Sequence, residues 1–254
     1  MIDIQYIRTS TLLVRWDGLT ILTDPWFAMH MRGLPVFVRP CVRPEDLPPL
    51  DLVLVSHLHS DHFHRGAMLR LSHRAGLMVG PPGIIHRARG VSVRMLATMQ
   101  GGETMEQGDM SIHAYSVEHS GYENAYLVRR GRASLLYAGD ANYSPVFSAI
   151  GRAHPPTVSL LPVGGTLILG RRIVMGPRDA LAAATDLRTR VVVPIHAGGE
   201  WMSVPPLSRH PGRPSQLAAL AVSRGAPFEV SPLEPGQHVR VSEDGEIARD
   251  GGPR

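Results

Sequence analysis

The chain has 254 residues, 43% of them hydrophobic and 19% charged, with a formal net charge of +4. That is the profile of a globular protein long enough for one sizeable α/β domain or two small ones, and its scattered arginines give no indication of nucleic-acid binding. The single cysteine, Cys41, excludes an internal disulfide framework, and no window approaches 18 uninterrupted apolar residues, so no membrane span is expected.

In chain order, strands are predicted near Ile4, Leu13 and Ile21, with turn signals at Asp17-Gly18 and Asp24-Pro25. Asp-Gly between two apolar runs is a hairpin signal. A proline-rich loop spans Pro35 to Pro49, and an apolar strand follows at 52–55. Helical spacing of Ala67, Met68 and Leu71 predicts a helix between His64 and Arg74. Further strands are predicted near 103–106, 109–117, 124–129, 132–138 and 157–161, and helices at about 178–187 and 214–224. From Glu243 the chain is polar and glycine-rich, so the reading is a single domain over 1–242 with a flexible tail at 243–254. The N-terminus lacks a charged start followed by a long apolar run, which sets the expectation of a cytoplasmic protein.

The strand at 52–55 runs into His57-x-His59-x-Asp61-His62. Three imidazoles and a carboxylate within six residues match the ligand chemistry of zinc, iron or manganese. Residues i and i+2 of an extended segment share a side, so His57 and His59 can grip one ion together, while Asp61 and His62, past the turn, can reach a second. Given 13 histidines in the chain, composition alone would produce the tetrad in about one chain in a thousand. A binuclear site needs more ligands, and later strand ends offer them. Ser111–Val117 leads to His119, Ser134–Ala138 to Asp140, and Val191–Ile195 to His196.

In this order of ligands the chain resembles the metallo-β-lactamase-fold hydrolases, whose signature is His-x-His-x-Asp-His, then a single His, an Asp and a final His. Leu22-Thr23-Asp24-Pro25, together with Leu160-Leu161-Pro162-Val163-Gly164-Gly165 and Val193-Pro194-Ile195-His196, is similar to the branch that holds ascorbate-6-phosphate lactonase and N-acyl phosphatidylethanolamine phospholipase D. The resemblance implies a four-layer αββα sandwich of two mixed β-sheets flanked by helices. It also implies two divalent metal ions, zinc first and manganese or iron as alternatives. One ion would take His57, His59 and His119, the other Asp61, His62 and His196, with Asp140 between them. A water shared by the ions would lose its proton near neutral pH and attack the substrate, with Asp61 orienting it or taking its proton.

The expected function is therefore a binuclear metal-dependent hydrolase, lactonase- or phosphodiesterase-like, that cleaves a small-molecule lactone, ester or phosphodiester. The alternatives are a di-iron redox or sensor protein on the same fold, a nuclease, or a non-catalytic scaffold. Asp24 is expected to accept a hydrogen bond from a ligand histidine or simply to form a turn. Substrate contacts are expected from the loops, with Trp26 and Trp201 suited to an apolar group and Arg32 and Arg39 to a phosphate or carboxylate. A homo-oligomer is left open.

Overall fold

In the computed structural model, residues 1–31, 33–71, 75–200 and 202–248 are described. Two large sheets dominate. The first has eight strands in the order Ile247–Ala248, His238–Val241, Ile2–Arg8, Thr11–Trp16, Leu19–Thr23, Leu50–Leu54, Ala75–Gly80 and Met95–Thr98. The second has seven, ordered Glu229–Val230, Val191–Ile195, Val158–Pro162, Ala133–Tyr137, Glu123–Arg130, Met110–Val117 and Thr104–Gln107. Each sheet is half antiparallel meander and half parallel. In the first, pairing turns parallel between Leu19–Thr23 and Leu50–Leu54. In the second it does so between Ala133–Tyr137 and Val158–Pro162.

The layers follow from period-two alternation along buried strands. Leu52 and Leu54, Leu135 and Tyr137, and Val191 and Val193 point between the sheets into one shared core. Val53 and Val55 point outward, onto helix Arg65–Leu71 through Ala67, Met68 and Leu71. Leu136, Leu161 and Val192 point out the other way, onto helices Val146–Ala153, Pro177–Leu187 and Pro214–Ser223. The stack is helix, sheet, sheet, helix, as the resemblance implied.

The Asp17-Gly18 hairpin is present. Trp16 pairs with Leu19 across a two-residue turn, and both turn residues have positive φ (46° and 86°). The structure adds elements the sequence reading did not anticipate, among them strands Ala75–Gly80 and Met95–Thr98 and the short helix Ile84–Arg87. The domain does not end at residue 242. Ile247 pairs with Val241 and Ala248 with Arg240, and Ile247 packs against the inter-sheet core, so the chain stays in the sheet past Glu243. Apolar Val241 and Ile247 on the two sides of the Gly245 turn (φ 82°) explain this better than overall polarity does. Residues 249–254 of the expected tail lie outside the described residues, as do the last three of the helix expected up to Arg74. Helix Val146–Ala153 was not anticipated. Its apolar stripe is only Val146, Phe147 and Ile150, too short to stand out from the surrounding loop. No helix among the described residues is long and apolar enough to cross a membrane.

Candidate metal centre

Parallel neighbours end at the same edge of a sheet, which is why residues far apart in sequence meet here. Thr23 pairs with Leu54, so Asp24, one residue on, and Ser56, two residues on, become neighbours. The Ser56 backbone N–H donates to Asp24 Oδ1 at 2.7 Å and its hydroxyl to Asp24 Oδ2 at 2.5 Å. Pro162 pairs with Ile195, which places His196 at the same edge of the second sheet. Tyr126 pairs with Tyr137 in antiparallel register, and extending that register brings Glu123 beside Asp140.

All seven sequence-predicted ligands converge in two adjoining groups. His57, His59 and His119 form one; Asp61, His62, Asp140 and His196 form the other; within each, the donor atoms all lie within 4.8 Å of one another. In the first, His57 Nε2 is 2.9 Å and His119 Nε2 3.3 Å from His59 Nδ1. In the second, Asp140 Oδ2 is 3.1 Å from His62 Nε2 and 3.0 Å from His196 Nε2. The His57 and His62 ring centroids are 4.1 Å apart, so the groups share a wall.

The donor set fits a pair of divalent cations. One nitrogen of His59 faces two others, and three neutral imidazoles cannot satisfy one another in that arrangement, whereas a cation accepts all three lone pairs. Buried Asp140 Oδ1 has no hydrogen-bond partner, and His62 Nε2 makes no hydrogen bond although Asp140 lies close by. Burial pushes His57 and His59 down to about 4, leaving both rings neutral and ready to ligate at neutral pH. At His62 burial opposes the charge, but Asp140, Asp24 and Asp61 outweigh it and raise the pKa. Burial likewise opposes ionisation of Asp140, yet His196 and His62 hold it well below the usual carboxylate range.

Asp24 is fully buried and accepts from His62 Nδ1 at 2.5 Å and from the Tyr137 hydroxyl. Two other site residues were missed in the sequence. Glu123, fully buried, accepts the Asp140 backbone N–H at 2.6 Å and lies 3.3 Å from His57 Nδ1 and 3.8 Å from His119 Nδ1. Burial raises its pKa to about 8. The available signal was an acid at the head of a strand whose middle, Ala125 to Val128, is apolar. Gly139 permits the approach: it has a φ of 54°, and a Cβ there would overlap the Glu123 carboxylate and Ser56. His210, set aside as outside the ligand order, is buried, bonds Thr166 at 3.0 Å and lines the cavity above the ligands.

That cavity measures ≈ 360 Å³ and has His59, Asp61, His119, Asp140 and His196 in its lining. A larger cleft of ≈ 590 Å³ lies beside helices Pro177–Leu187 and Pro214–Ser223 with no ligand in its lining. The expected substrate contacts fare differently from the ligands. Trp26 is buried with the Arg8 guanidinium 3.9 Å above its ring, so it serves a buried cation rather than the cavity. Arg39 is exposed and absent from the cavity lining. Arg32 and Trp201 lie outside the described residues.

Fold and cluster together are those of the metallo-β-lactamase fold. The domain family described as "Beta-lactamase superfamily domain" matches residues 19–197, and the chain belongs to that family. It is 29% identical over 247 residues to a UPF0173 metal-dependent hydrolase of Methanopyrus kandleri, covering 92% of this chain and 97% of that one. It is 30% identical over 250 residues to a UPF0173 metal-dependent hydrolase of Opitutus terrae, covering 94% and 99%. Among solved structures, Igni18, described as a novel metallo hydrolase from the archaeon Ignicoccus hospitalis, superposes with a TM-score of 0.74 at 23% identity, covering 94% of this chain and 97% of that one.

Proposed function

We propose that this chain is a binuclear metal-dependent hydrolase that opens a small-molecule lactone, ester or phosphodiester. The observation that carries the reading is the convergence of three imidazoles in one group and two imidazoles and two carboxylates in the adjoining one, at the floor of a single cavity. The names of the relatives, metal-dependent hydrolases covered over nearly their full length, point the same way. Zinc is the first choice of metal, because imidazole-rich ligation suits it, with manganese and iron as alternatives. When bound, two such ions would polarise a carbonyl or phosphoryl oxygen and bring the pKa of a water to about 7.

The side chains supply the rest. Asp61 is the one ligand carboxylate with substantial exposure (15%) and lines the cavity, so it is placed to orient a water and accept its proton. Asp24 fixes the His62 ring by holding Nδ1, which leaves Nε2 as the ligating atom. The backbone carbonyl of Ile173 does the same for His119, accepting from Nδ1 at 2.9 Å. The cavity lies near the lower end of the roughly 300–1,000 Å³ range of small-molecule sites, which favours a small substrate over a polymer. The Leu22-Thr23-Asp24-Pro25 entry supports placement in the lactonase and phospholipase D-like branch.

The test is a hydrolysis screen with metal-reconstituted protein across lactones, thioesters, carboxylic esters and bis(4-nitrophenyl) phosphate, beside metal analysis. About two ions per chain and chelator-sensitive turnover are expected. Activity that survives chelation and dialysis would overturn the mechanism.

A further inference from the structure

Beside the cavity stands a small hairpin, Leu167–Ile168 and Arg171–Arg172, joined by Leu169 and Gly170, both with positive φ (48° and 79°). A third strand, Ser208–Arg209, pairs with its first arm and holds it in place. Ile168 and Arg171 are directly opposed across the hairpin, so their side chains leave the same face. That face is the cavity wall, since both residues line it. Arg171 is the one Lys or Arg side chain in that lining among the described residues, and no ion pair holds it there. Its neighbour Arg172 is engaged with Asp179 at 3.7 Å.

Arg171 also lines a side pocket of ≈ 230 Å³, which shares His119, Ser120 and Ile173 with the main cavity and adds Asn142, Arg172 and Glu118. Apart from the candidate ligands, the main cavity is walled by the apolar Met31, Ile168, Ile173 and Val174 together with Ser120, Thr166 and His210. A substrate whose scissile bond lies over the ligands would thus meet an apolar wall and, at the junction of the two pockets, an uncommitted guanidinium. Exposed Glu118 is the single carboxylate in the lining of the side pocket, which also holds Arg171 and Arg172.

Building on the hydrolase reading, we propose that Arg171 determines specificity, receiving an anionic substituent of the substrate, a carboxylate or phosphate, away from the bond that is cleaved. The planar guanidinium presents paired N–H donors to two oxygens of either group. The substrate class is therefore a small ester or lactone with an apolar stem and a terminal anion.

The experiment compares three 4-nitrophenyl esters of matched stem length on the metal-loaded protein: hexanoate (neutral), adipate (terminal carboxylate) and 5-phosphonopentanoate (terminal phosphonate). At least one anionic ester should exceed the hexanoate in kcat/KM by about tenfold, and the better of the two identifies the anion. In Arg171→Gln that ratio should fall to near one, with partial recovery in Arg171→Lys and unchanged thermal melting. A wild-type ratio near one, or a ratio that Arg171→Gln leaves intact, overturns the assignment. If no ester is turned over, the ester option of the hydrolase reading fails separately, and the wider screen decides the rest. Calorimetry of adipate and phosphonopentanoate on the metal-loaded protein then decides the role of Arg171. Weaker binding to Arg171→Gln, by about tenfold, supports it, and equal binding overturns it.

Discussion

His62 Nδ1 lies 2.5 Å from Asp24 Oδ2, and both side chains are fully buried. Thirty-eight residues separate them in sequence. The same carboxylate collects the Ser56 backbone N–H, the Ser56 hydroxyl and the Tyr137 hydroxyl. Four donors from both sheets converge on it, so Asp24 both holds the ring of a candidate ligand and ties the sheets together beneath the candidate centre.

Asp24→Asn removes one charged acceptor and presents an amide N–H to donors that need an oxygen. Metal affinity should fall by about 10–100-fold, the usual consequence of losing an outer partner of a ligand histidine. Competition with a chromophoric chelator measures this. Affinity equal to wild type would reduce Asp24 to a turn former.

Glu123 touches ligands of both groups, accepting the Asp140 N–H and lying beside His57 and His119. Glu123→Ala leaves that buried N–H unsatisfied, which costs about 1–3 kcal/mol of stability. It should also lower the occupancy of both metal sites, whereas Glu123→Gln, which keeps an acceptor oxygen, should retain more of each. Denaturant melts paired with metal analysis distinguish the two. A stability loss with full occupancy would make Glu123 purely structural.

The two ligand groups should separate on acidification. In the metal-free protein His57 and His59 stay neutral down to about 4. His62 and His196 have raised values, because Asp140 with its neighbours overcomes the burial that opposes their charge. A metal must displace those protons, so affinity of the second group falls first as pH drops through the raised imidazole values. Metal content measured from about pH 8 down to below pH 4 should therefore fall in two steps, one ion before the other. Simultaneous loss would refute this order. His57 also sets a sign for stability: its folded pKa lies below the unfolded value, so its contribution to metal-free stability declines as pH falls from about 6.5 towards 4.

His57→Ala and Asp61→Ala should each abolish turnover while keeping the circular dichroism of the wild type. Neither residue belongs to the apolar clusters that hold the sheets and helices together. Chelation should lower the melting temperature of the wild type, since saturation at about 100 times Kd contributes about 2.7 kcal/mol. A melting temperature indifferent to chelator would mean that the folded protein does not hold metal.

The candidate ligands were legible because metal chemistry restricts residue type and strand ends restrict position. His57 through His62, His119, Asp140 and His196 each follow an apolar run that reads as a buried strand. The partners that orient them were harder to see. Asp24 carries a turn signal that is equally at home in any loop. Glu123 and Ser56 are common residue types, and their role depends on which strands lie side by side. Trp26 looked like a substrate contact because an aromatic in a loop carries no mark of burial; it lies under Arg8, a residue 18 positions earlier that the sequence reading passed over.

By itself the sequence determined the period-two strands, the hairpin at Asp17-Gly18 and the identity and order of seven candidate ligands, all local properties of side-chain type and spacing. Only the tertiary structure decided that Glu123 sits under three of those ligands, that Asp24 meets His62 and Tyr137, and that Arg171 rather than Arg39 lines the cavity. Those relations depend on strand order and register, which are set by burial across the two sheets and not by any neighbouring residues in the chain.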